Sequence, residues 1–237
     1  MSKETLKHPS KIVLRGFFAS LIAALIYISL ILIPTYAGYS LVLGLTLLFN
    51  FTLETLMLIL IYSAYKTLRS KRYIFTFDGK VKAFIRGYRW YIMLNAFLQI
   101  GRSILIILLA LNLTADPNII ANLMYLIELF ALTTLIPFIL YLIIWGLMIH
   151  ISLREFEAGE NLRRTLIITS SLMIIVVFAY ISSLTAGQAL MTIAFLAQAY
   201  FFLEASKIIQ AKDDAYIKVA KKSKNKNKRG DSKKLNM

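Results

Sequence analysis

Apolar residues run along this chain in six long stretches, at 16–36, 41–65, 90–111, 119–149, 165–184 and 186–209, with nearly all charge held in the segments between and beyond them. A helix of about 20 apolar residues crosses the roughly 30 Å hydrocarbon core of a bilayer, and every stretch reaches that length. Runs such as 21–33 are apolar on all faces, whereas a membrane β-strand alternates polar and apolar positions over about ten residues. The pattern therefore predicts an all-α polytopic membrane protein with six transmembrane helices, laid out as three in-out-in hairpins. Asp116 followed by Pro117 reads as an N-cap with proline in the first turn of helix four, and Thr185 with Gln188 as a capping box opening helix six.

Composition supports the same class. Of the 237 residues 59% are hydrophobic and 16% charged, where soluble domains average about a quarter charged. No segment outside the spans is long enough to bury a core of its own. The chain thus reads as one membrane domain over 16–209, with a basic arm at 1–15, a basic loop at 66–89 and a basic tail at 210–237 expected to be disordered.

Charge placement sets the expected orientation. Of 27 Lys and Arg, all but Arg102 fall in the arm, the 66–89 loop, the connection after helix four, or the C-terminal end. Cytoplasmic loops keep such residues during insertion, so both termini are expected in the cytoplasm of a multi-pass cell-membrane protein. Tyr62, Tyr65, Tyr88, Trp90, Tyr91, Trp145 and Tyr200 would form an inner aromatic belt, with Tyr36, Tyr39 and Tyr180 near the outer surface. The first stretch is too long for a signal peptide and no small-residue cleavage site follows it, so it reads as a retained helix. Cysteine is absent, which excludes disulfides, thiolate metal sites and palmitoylation. Asn112-Leu113-Thr114 forms a glycosylation sequon close to the expected outer surface. A basic-aromatic entry recurs as Leu14-Arg15-Gly16-Phe17 and Ile85-Arg86-Gly87-Tyr88, and more loosely at Leu162-Arg163-Arg164, as a tandem repeat of hairpins would produce.

With the flanking ends of the spans set aside, Glu204 and Lys207 among them, three charged residues remain inside: Glu54, Arg102 and Glu128. A charge near the bilayer centre costs on the order of 2.5–3.5 kcal/mol, so it is expected to face a partner or a wet cavity. At 1.5 Å per residue, Glu54 and Arg102 both lie roughly 16–18 Å from the inner belt, and Glu128 roughly 25 Å from it. Asn95, Gln99 and Arg102 share one helix face, and Thr46, Asn50 and Glu54 step by four along another. These positions predict a buried Glu54–Arg102 pair with Asn50, Asn95 and Gln99 around it and Glu128 as a secondary partner. Such a pair is either interhelical glue or the lining of a polar pathway. Pro137 marks a hinge or kink within the long fourth span.

Residues 66–89 and 212–237 each carry a net +7. That field suits anionic lipid headgroups, an acidic protein or a cytoplasmic ATPase, or nucleic acid held through its phosphates without sequence reading. The segment 73–84 contains Asp78-Gly79, which reads either as a hairpin turn or as the lead into an interfacial helix over 81–89. There is no Walker loop, no HExxH, and no histidine pair at metal spacing, since His8 and His150 lie in separate segments. No cofactor or metal is expected. The leading expectation is a non-enzymatic transport or channel subunit, acting alone or in a homo- or hetero-oligomer. One concrete form is the membrane conduit of a DNA or polyanion transfer system driven by a separate ATPase. The alternatives are an assembly or anchoring protein whose tail recruits an acidic partner or anionic lipid, and a small intramembrane enzyme.

Overall fold

A computed structural model describes residues 9–31, 40–71, 74–75, 78–111, 116–154, 156 and 158–234. Among these, every regular element is a helix: α1 (Pro9–Ile31), α2 (Leu41–Arg69), α3 (Asp78–Leu111), α4 (Pro117–Thr133), α5 (Leu135–Arg154), α6 (Glu160–Ser182) and α7 (Leu184–Lys234). Six helical stretches are long and apolar enough to cross a membrane, α4 and α5 counting together as Pro117–Arg154. Tyr36, Tyr39, the sequon at Asn112 and the first eight residues of the basic arm lie outside the described residues.

Neighbouring helices run antiparallel. Gly16 on α1 lies against Ala64 on α2, and further along the pair Tyr27 meets Glu54. Gly44 near the start of α2 lies against Ile107 near the end of α3, while Tyr65 contacts Phe84 and Tyr88. A Cβ added at Gly16 would sit 2.6 Å from that of Ala64, and one at Gly44 would sit 2.6 Å from Ile107. Only glycine permits these helices to approach so closely, which is how small residues drive helix association in lipid. The recurring basic-aromatic entries thus place Gly16 and Gly87 at helix contacts, Gly87 facing Ile144. The turns carrying most of the positive charge lie together at one end of the bundle, hereafter the basic end. There Phe75 and Phe156, from the two long connections, form an isolated antiparallel bridge with their rings 5.4 Å apart.

Local chemistry sets the boundaries. Asp116 accepts from the Asn118 amide at 2.9 Å with Pro117 in the first turn, the expected start of α4. Helix α3 begins at Asp78, so the 78–89 segment is helical and the hairpin alternative falls. The expected capping box at Thr185 is shifted. Ser183 alone separates α6 from α7, its hydroxyl accepts from the Ala186 amide, and Thr185 falls within the first turn. The fourth span breaks at Thr134, three residues before Pro137. Proline has no N–H to bond the Thr133 carbonyl, so the ladder fails there. Beyond the break α4 leans on α3 and buries only Ile127 completely. Helix α7 continues through Lys234, where sequence reading expected disorder from 210. Alanine and lysine are good helix formers, and no glycine or proline interrupts the segment before Gly230.

Candidate functional site: a polar cavity closed by an aromatic layer

A cavity of about 670 Å³ occupies the half of the bundle remote from the basic end. All the helices that surround the bundle centre contribute to it. Tyr27 comes from α1, Glu54 from α2, and Tyr91, Asn95, Gln99, Arg102 and Ser103 from α3. Pro137 and Tyr141 on α5, Tyr180 on α6 and Gln188 on α7 complete its polar and kinked wall. The lining reaches the helix ends at Ile31, Leu43, Leu184 and Thr185. Thr134, at the break in the fourth span, also lines it. The helix therefore gives way where the cavity wall needs a bend.

Glu54 is 2% exposed and accepts a hydrogen bond from the Tyr27 hydroxyl at 2.7 Å. Among the described residues no hydrogen bond to its second oxygen is found. The Tyr27 ring stacks on Phe195 of α7, centroids 5.6 Å apart, which holds the hydroxyl in place. The expected Glu54–Arg102 ion pair does not form. The close approaches Gly44–Ile107 and Tyr65–Tyr88 set the α2–α3 register so that Glu54 lies level with Leu98. Arg102 is thus about 6 Å, one helical turn, nearer the open half, and α1 supplies the partner instead. The Arg102 Nε is buried and finds no hydrogen-bond partner among the described residues. The two charges line one cavity without meeting.

The other expected residues divide. Asn95 and Gln99 line the cavity beside Arg102, as their shared face requires. Asn50 is buried but outside the lining. Thr46 bonds back to the Val42 carbonyl. Glu128 is exposed on α4, away from the cavity, so it is no secondary partner of the pair. Because α4 packs chiefly on α3, its remaining surface, Glu128 included, faces outward.

Toward the basic end the interior is filled by rings. Tyr65, Phe84, Tyr88, Trp145, Phe201 and Phe202 are all under 2% exposed. Tyr65 stands at the centre, with ring centroids of the other five between 4.9 and 6.3 Å away. This corrects the expected inner belt. Trp90 and Tyr200 are exposed as anchors would be, but Tyr65, Tyr88, Tyr91 and Trp145 turn inward and seal the core. Tyr180, expected near an outer surface, packs edge-on to Phe138 in the cavity wall. Within this layer Gln198, fully buried, donates to the Tyr65 hydroxyl at 3.0 Å and accepts from Ser20 at 3.5 Å. Sequence reading missed Gln198, Ser20 and Tyr27 because it searched the spans for formal charge. A scan for any polar side chain in an apolar run finds all three.

Lys80 Nζ lies 3.1 Å from His150 Nε2 near the basic end, joining α3 to α5. Among the described residues no group of three His, Asp or Glu is placed to hold a metal ion. No protein family matches the chain, and neither a curated protein nor a solved structure is significantly similar to it.

Proposed function

We propose that this protein is a non-enzymatic membrane transport subunit whose bundle exposes its polar cavity to one side of the membrane at a time. One observation carries the reading: a cavity of about 670 Å³ penetrates one half of the bundle and stops at a continuous layer of packed rings in the other. Structural glue needs polar contacts but no cavity. A permanently open pore needs a path through both halves. A cavity closed at one end, with a proline break in its wall and a layer held by weak ring contacts, is the resting geometry of a gate.

The reading takes the basic end as cytoplasmic and the membrane as the cell membrane, because positive loops resist translocation. On that side the Lys- and Arg-rich 66–89 segment and the C-terminal tail would bind anionic lipid headgroups or dock an acidic partner such as an ATPase. The floor of the cavity carries the Glu54 carboxylate, and rings fill the bundle beneath it. A polyanion such as DNA would therefore cross between several copies of the chain, with the basic surface collecting it, and not through a single bundle.

The natural absence of cysteine permits a clean accessibility test. Single cysteines at Ser103, in the cavity, and at Ser206, buried one turn past Phe202 toward the basic end, are treated with a membrane-impermeant thiol reagent in oriented proteoliposomes. Ser103→Cys labels rapidly from the side remote from the basic loops. Ser206→Cys labels slowly from the basic side, reporting the second state. If Ser206→Cys is never labelled from the basic side under conditions where Ser103→Cys reacts fully, the bundle is a sealed anchor and the transport reading fails.

A further inference from the structure

We propose that the cavity binds a small organic zwitterion, its cationic end against Glu54 and its anionic end against Arg102. The inference rests on the transport reading and gives it a substrate class. Glu54 and Arg102 are the only formally charged side chains among the lining residues, and no ion pair joins them. One carboxyl oxygen of Glu54 accepts from Tyr27, and no hydrogen bond to the other is found among the described residues. The Arg102 Nε has none. The cavity therefore holds one carboxyl and one guanidinium group, about one helical turn apart along its axis by the 1.5 Å rise per residue.

A ligand with a single charge would answer one of these groups and leave the other without a counter-charge inside the bundle, where the effective dielectric is below that of water and electrostatic energies are larger. A zwitterion answers both ends and adds no net charge. The remaining lining suits the same ligand. Tyr91, Tyr141 and Tyr180 place aromatic rings in the walls, and ring faces favour an ammonium. Gln99, on the same face as Arg102, offers an amide between the levels of the two ends, and Asn95 a second one about one turn deeper. Leu30, Phe51 and Phe138 supply apolar surface for a short carbon frame.

The test is calorimetric titration of the full chain in lipid nanodiscs. The probes are the linear amino acids from glycine to 6-aminohexanoate, each compared with the carboxylic acid lacking its amine and the amine lacking its carboxylate. The best zwitterion is expected to bind at least tenfold more tightly than either of its single-charge analogues. Glu54→Gln should erase its advantage over the carboxylic acid while keeping its advantage over the amine. Arg102→Gln should do the reverse. Variants that merely misfold lose all binding together, and the wild-type comparison stands without them. Equal affinity for a zwitterion and either analogue, or no binding by any zwitterion in the series, overturns the inference. Labelling of Ser206→Cys is independent of these titrations, so loss of the substrate class and loss of the transport reading remain separate results.

Discussion

Replacing Tyr27 by phenylalanine removes one oxygen from the wall of the cavity and leaves Glu54 without its protein donor. The stacking of the ring on Phe195 survives, so the change isolates a 2.7 Å hydrogen bond. Two magnitudes bear on its worth. A hydrogen bond to a charged group contributes about 1.5–3 kcal/mol in water-soluble proteins. Interhelical hydrogen bonds in membranes average about 0.6 kcal/mol and reach about 1.7, because polar groups of the unfolded chain also find partners in the bilayer. Glu54 is fully enclosed on the α1 side yet faces a polar cavity on the other, so the membrane scale applies at its upper end. Tyr27→Phe is expected to cost about 1.5 kcal/mol. Glu54→Gln keeps an acceptor and removes the charge, so the double variant should show a coupling of about 1 kcal/mol. Reversible unfolding in mixed micelles, titrated with sodium dodecyl sulfate across the four members of the cycle, measures it. A coupling below about 0.3 kcal/mol would show that Tyr27 does not fix Glu54, and the charge at the cavity floor would lose its stated anchor.

Three further outcomes follow from close contacts in the bundle. Gly16→Ala puts a methyl group 2.6 Å from the Ala64 Cβ and should cost about 1–3 kcal/mol by forcing α1 from α2, whereas Gly146→Ala, with nothing within 4 Å, should be neutral or mildly stabilising in the same unfolding assay. Gln198→Leu strands the Tyr65 hydroxyl within the ring layer at a cost of about 1–3 kcal/mol; adding Tyr65→Phe should recover most of that loss, and failure to do so refutes the assigned bond. Pro137→Ala restores an amide to the ladder, so α4 should align with α5; spin labels at Met124 and Ile181 would then report a distance change on the order of 3 Å or more by pulsed electron resonance.

What could be read from the sequence was set by the solvent. Hydrocarbon leaves no backbone group unbonded, so an uncharged run of 20 residues can hardly be anything but a helix, and its ends follow from Asp116, Pro117 and the basic clusters. Depth was legible to about one turn: 1.5 Å per residue puts Glu54 and Arg102 at one level, and the contacts between α2 and α3 offset them by about 6 Å. Azimuth was not. In water a helix announces its buried face by contrast with its polar one, but in lipid both faces are apolar and the contrast vanishes. Trp145 and Trp90 sit at similar depths and look alike as anchors, yet one is wholly buried and the other more than half exposed. Glu54 failed to find Arg102 because the close contacts between α2 and α3 offset the two by about one turn, and the packing of α1 gave Tyr27 as the nearer hydroxyl. The positions that break the uniformity are therefore the ones that carry direction. Gly16 and Gly44 mark where helices touch, and Ser20 and Gln198 mark a polar thread through the ring layer. A helix that keeps glutamine where leucine would be more soluble in lipid keeps it for a partner. In this bundle that partner is the Tyr65 hydroxyl at the centre of the rings, so the opening proposed above would have to break the same contact that stabilises the layer.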